Sequence, residues 1–167
     1  MFKKNESGYL LVEAMVATSL LIIGLVSVAG LMSRALGLNR VVSDQFIANY
    51  LAVEGIEIIK NLIEANILAG LPWNNGISDN CYEVNYESVN LGATCSSSES
   101  QLALSFNSIT GFYNYDSSGN QAPFIRSILI ENSSDGNRIK VNSVVKWISR
   151  GSVEFSINLE DYFFNYR

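Results

Sequence analysis

The chain has 167 residues, enough for one globular domain or for a small domain and a long helix. Its net charge is −5 and its basic residues are few and scattered, with no Lys/Arg stripe for a phosphate backbone, which argues against direct nucleic-acid binding. It has no His, no glycine-rich phosphate loop and no zinc spacing, so no His-based triad, metal site or cofactor is expected, and the chain reads as a non-enzyme.

Residues 1–8 read MFKKNESG, with Lys3 and Lys4 the basic residues ahead of an apolar block. That block, residues 9–32, covers roughly 36 Å as a helix, enough to cross a bilayer core. The positive flank favours a cytoplasmic N-terminus and places the rest of the chain outside. A secretory signal cut near Ala29-Gly30 is the alternative, but such signals have shorter apolar cores than this run. Glu13 stands inside the block, with no basic residue at helical i±3 or i±4 spacing. An ionised carboxylate in hydrocarbon is costly and calls for a partner. An α-amino group newly created at Tyr9, on the same chain or on a packed neighbour, would supply one. The other reading is a Glu shallow enough to reach the headgroups.

The stretch Ser7-Gly8-Tyr9-Leu10-Leu11-Val12-Glu13-Ala14 resembles the class III signal of type IV pilins and type II secretion pseudopilins. The resemblance implies that a prepilin peptidase/methyltransferase cuts between Gly8 and Tyr9 on the cytoplasmic face and N-methylates Tyr9. It also implies that Glu13 pairs with the N-terminal amine of a neighbouring subunit and sets axial register in a filament. Tyr9 stands where Phe is usual, and Leu11 replaces the usual hydroxyl residue; Gly8 and Glu13 keep the pattern.

From residue 34 to residue 69 the pattern turns one-sided. Leu38, Val42, Phe46, Val53, Ile56, Ile59, Ile63 and Ile67 recur at helical spacings and predict an amphipathic helix. Asp44, Glu54, Glu57, Lys60 and Glu64 fall largely off this stripe and are expected to be solvated. Gly70-Leu71-Pro72 is the predicted stop. Gly24 and Gly30 are candidates for close helix packing. The segment from Asn49 to Glu57 resembles the helix of pilus-modification minor pilins and of small minor pseudopilins.

Beyond the helix, residues 70–123 are rich in Gly, Ser and Asn, with short strands or turns expected near 81–87, 102–106 and 112–115. Cys81 and Cys95 are close enough in sequence to close a small disulfide loop in an oxidising compartment; two free thiols are the alternative. Residues 124–167 predict strands at 124–131, 138–149 and 153–160, with a turn at Asp135-Gly136. Ile139, Val141, Val145 and Trp147 form the apolar face of the second strand, and Val153, Phe155, Ile157 and Leu159 that of the third. The expected product is a three- or four-stranded antiparallel meander packed on the helix. The aromatic tail from Tyr162 to Tyr166 is expected to finish that core, with a contact between subunits as the alternative.

The expected organisation is a cleaved leader (1–8), a transmembrane part of a long helix (9–33), its amphipathic extension (34–69), a variable region (70–123) and a sheet (124–167). The fold class is α+β, pilin-like. The resemblance implies a structural subunit of a type IV pilus, of the minor kind, that works with other pilin subunits and an inner-membrane assembly platform. Its location would be the cytoplasmic membrane as a single-pass precursor, then an extracellular pilus. The alternatives are a pseudopilin of a type II secretion or DNA-uptake system in the cell envelope, and a non-polymerising single-pass anchored binding protein.

Overall fold

The computed structural model describes residues 7–95, 102–116, 119–149 and 153–166. It is α+β: one long N-terminal helix, α1 (Ser7–Leu68), followed by an antiparallel sheet. The chain divides into two compact units, residues 1–43 and 44–167.

In the first unit, residues 9–40 of α1 are exposed along their whole length. Side-chain hydroxyls in this stretch turn back onto the helix. Thr18 Oγ1 donates to the Ala14 carbonyl at 2.8 Å and Ser27 Oγ to that of Ile23 at 2.8 Å, while Ser19 Oγ donates to Met15. Such bonds let a polar side chain stand in apolar surroundings without a free donor.

In the second unit, the end of α1 lies on a sheet built from β1 (Asn80–Glu83), β2 (Ala93–Thr94), β3 (Ala103–Phe106), β4 (Tyr113–Asn114), β5 (Asn120–Asn132), β6 (Arg138–Ser149) and β7 (Val153–Phe164). The expected meander is there: β5 and β6 pair from Phe124↔Trp147 to Asn132↔Ile139, and β6 and β7 from Arg138↔Phe164 to Ser149↔Val153. The β5–β6 turn closes with Ser133 N–H donating to the Arg138 carbonyl at 2.8 Å, and Gly136 takes the left-handed conformation (φ 68°) that a side chain disfavours.

Among the described residues the sheet nevertheless has seven strands rather than three or four. The other edge of β5 is divided between two partners: β1 pairs at Asn80↔Ile130 and Tyr82↔Ile128, and β3 at Ala103↔Ile125 and Phe106↔Asn120. Between Ala103 and Ser105 the register shifts, and Pro123 lies in the bulged stretch of β5. A bulge accommodates a residue with no N–H to give to the ladder. Residues 70–123 and 124–167 thus contribute to one sheet.

Two apolar clusters lie under α1. Ile56, Ile59 and Ile63 pack with Ile128, Ile130, Ile139 and Val141. Ala48, Leu51 and Ala52 pack with Leu104, Phe124, Val145 and Trp147. The buried helix face therefore differs from the predicted stripe. Ile56, Ile59 and Ile63 are buried as expected, but Leu38, Val42, Phe46 and Val53 are exposed, and Ala48, Ala52 and Gly55 are buried in their stead. Within the second unit, for Phe46 and Val53, the cause is how near the helix comes to the sheet. A Cβ at Gly55 would overlap the Ser143 hydroxyl and Ile128 Cδ1, so only small residues fit that line. Within the head, the glycine at a close helix–sheet approach is Gly55.

The helix ends as Gly70 predicts. Gly70 N–H donates to the Ile67 carbonyl (3.1 Å) and Leu71 N–H to that of Asn66 (2.9 Å), with Gly70 at φ 71°. This is a Schellman closure, which satisfies the last carbonyls of the helix. The aromatic tail fills the core only in part: Phe163 packs against it, whereas Tyr162, Phe164 and Tyr166 are exposed. Strand alternation is the reason, because β7 continues to Phe164 and turns successive rings to opposite faces.

Gly55→Ala should destabilise the head. The helical propensity gained, about 1 kcal/mol, is smaller than an overpacking cost of about 1–3 kcal/mol. We expect a lower urea midpoint for the full chain in detergent, followed by fluorescence of the buried Trp73 and Trp147. An unchanged or higher midpoint would show that the sheet yields at this point.

Candidate processing and assembly site

The residues expected to carry processing and assembly lie at the start of α1. The Gly8–Tyr9 bond lies at the N-terminal end of the described part of α1. Tyr9 is 77% exposed. Glu13 follows by four residues and is exposed on the same helix face. The two side chains lie on one open surface of the helix with Val12, Val16, Ala17 and Leu20. Among the described residues no cation pairs with Glu13. Lys3 and Lys4, the expected positive flank, lie outside the described residues.

Around this carboxylate the surface is apolar. Leu10, Leu11, Met15, Leu20, Leu21, Ile22, Ile23 and Leu25 are each more than half exposed. A patch this large on a water-soluble surface marks contact with lipid or protein. Among the described residues α1 is the one helix long and apolar enough to cross a membrane.

Cys81 and Cys95 are joined in a disulfide, with Cα atoms 5.3 Å apart. Cys81 is buried in β1, opposite Leu129 of β5, and Cys95 directly follows β2. The bridge closes the β1–β2 excursion, and Cys95 N–H donates to the Cys81 carbonyl at 3.0 Å. It thereby pins a two-residue strand that has little cross-strand pairing of its own.

One polar constellation in the head is not apparent from motif reading. Arg126 is fully buried, and its guanidinium reaches α1 and the residue that follows β1. Its Nη1 lies 3.3 Å from Glu54 Oε2 and donates to the Leu51 carbonyl at 3.2 Å; Nη2 donates to the Val84 carbonyl. The Tyr115 hydroxyl donates to the Arg126 carbonyl at 3.1 Å, and burial pushes that phenol's pKa up. Glu54, expected on the solvated face, is thus an internal counter-charge. The signal was present in the alternation of β5. Phe124, Arg126, Ile128 and Ile130 share its inward face, so Arg126 needed a buried acid.

A single long apolar helix with a small antiparallel sheet is compatible with a pilin-like fold. The chain matches no protein-family model, and no curated protein or solved structure is similar to it.

Arg126→Ala strands the Glu54 carboxylate and should cost about 3–5 kcal/mol, whereas Arg126→Met combined with Glu54→Leu should recover much of that loss. Urea melts of the three proteins check this, and equal stability of the single and double variants would refute the ion-pair account. Cys81→Ser with Cys95→Ser should cost roughly 3 kcal/mol by loop entropy. Reductant should produce the same drop in wild type and none in the double serine variant.

Proposed function

We propose that this chain is a structural subunit of a type IV pilin-class filament, of the minor kind, processed between Gly8 and Tyr9. The observation that carries the reading is Glu13. It is a carboxylate without a counter-ion among the described residues, four residues from Tyr9, on a helix whose apolar surface is uncovered over residues 9–40. Cutting after Gly8 turns the Tyr9 nitrogen into a cationic amine. In a low-dielectric setting that amine and the Glu13 carboxylate of a neighbouring copy or related subunit attract strongly. The pairing removes the cost of a lone charge and fixes one subunit against the next along the helix axis. The same apolar surface serves first in the bilayer and then between packed helices. The prepilin peptidase/methyltransferase and the membrane assembly platform are the partners this cycle requires.

Mass spectrometry of filaments sheared from the cell surface tests the proposal. We expect this chain to be present, at low abundance relative to co-purifying pilins, with N-methylated Tyr9 as its first residue. Its absence there, with the mature form retained in the envelope, would assign it to a secretion or uptake pseudopilus. An uncut chain in the membrane would remove it from the class. Glu13→Ala should leave membrane insertion intact and reduce incorporation into filaments by roughly tenfold or more, measured by immunoblot; wild-type incorporation would overturn the role given to Glu13.

A further inference from the structure

The sheet has one long open edge, β7. Among the described residues β7 pairs with β6 alone, over 12 residues, whereas the other two ends of the sheet, β2 and β4, have 2 residues each. A strand that short offers little to an incoming chain. A long, regular one presents a row of backbone groups with which another strand can pair.

The direction of those groups follows from one bond. Asn165 N–H donates to the Asn137 carbonyl at 2.9 Å, in register with the β6–β7 ladder. Antiparallel pairs alternate, so the odd-numbered residues of β7 turn their backbone groups to β6 and the even-numbered ones turn theirs outward. Tyr162 is one of the outward residues. Its N–H is taken by the side chain of the preceding residue, donating to Asp161 Oδ1 at 2.8 Å.

Packing alone does not account for Asp161. Phe155, Ile157, Leu159 and Phe163 hold the inward positions of β7 and pack against the two apolar clusters. Asp161 has the same parity, between Leu159 and Phe163 and opposite the fully buried Val141, yet it is exposed. An apolar residue there would extend the core. The acid instead occupies an outward N–H and sets a charge at the sheet margin. With Glu154 and Glu160 it makes β7 acidic, and the strand has no Lys or Arg.

We infer that Asp161 guards this edge and keeps β7 from pairing with β7 of a second copy. Two copies paired antiparallel about Asn158 would each set Asp161 against Phe155 of the other. The Tyr162 N–H would also have to leave Oδ1 to join the new ladder. Copies are thereby left to meet through surfaces other than their sheet edges.

The test uses the full chain in detergent micelles and needs neither cleavage at Gly8 nor polymerisation, so its failure would leave the filament reading untouched. Self-association is measured by sedimentation velocity and located by amide hydrogen exchange. We expect Asp161→Val to associate roughly tenfold or more tightly than wild type, with exchange slowed at Ser156, Asn158 and Glu160. Asp161→Asn keeps an acceptor for the Tyr162 N–H and should associate more weakly than Asp161→Val. The urea midpoint of Asp161→Val should equal or exceed that of wild type, which separates edge pairing from misfolding. Association no tighter than wild type, slowed exchange centred elsewhere, equal association of the Val and Asn variants, or a lowered midpoint would each overturn the inference.

Discussion

The head is governed by how closely α1 can approach β5 and β6. At Gly55 the helix has no side chain, and the facing residue on β6 is Ser143, which is fully buried. One turn earlier, the guanidinium of Arg126 reaches from β5 to the helix backbone at Leu51 and to Glu54. The two features act together. The glycine permits the short distance, and the short distance lets one arginine satisfy a carboxylate and two carbonyls on different elements. The two apolar clusters then fill the space on either side of this line.

Much of this was legible in the sequence because periodicity reports burial. The inward residues of β6 follow strict alternation, as do Phe155, Ile157 and Leu159 of β7, whereas Val153, expected on the same face, is exposed at the strand end; the helix stop follows from Gly70, and the β5–β6 turn from Asp135-Gly136. What could not be read was set by distance. Apolar periodicity marks large side chains, so it favoured Phe46 and Val53 over Ala48, Ala52 and Gly55, which is the line the sheet selects. The short strands β2 and β4 have two residues each, too few to show any period. They pair with β1 and β3, the two strands that β5 holds in place, and β2 is further pinned by the disulfide. The candidate site was legible at Gly8, Tyr9 and Glu13 because a charge in an apolar run is conspicuous. Arg126 was hidden because its partner lies on another element, far away in sequence.

The stretch from Asn49 to Glu57 resembles a segment of minor pilins, yet its two most distinctive residues have work within the head. Glu54 neutralises Arg126, and Gly55 admits β6. A helix that must meet a sheet at close range would carry such a pair for packing alone. The proposal of a filament subunit therefore stands on Glu13 and its neighbours rather than on this segment.

The Glu54–Arg126 pair also constrains the order in which the head can form. Residues 44–68 leave the ribosome before any strand exists, so the inner face of the helix has no cover until β5 has been made. Burying Arg126 without Glu54, or Glu54 without Arg126, is costly, so helix docking and β5 pairing must occur in one concerted step. Because these contacts join distant parts of the chain, that step is slow compared with helix formation. During that interval the half-made head presents Leu51, Ile56, Ile59 and Ile63 to its surroundings, and the nascent chain is at its most susceptible to aggregation and to proteases.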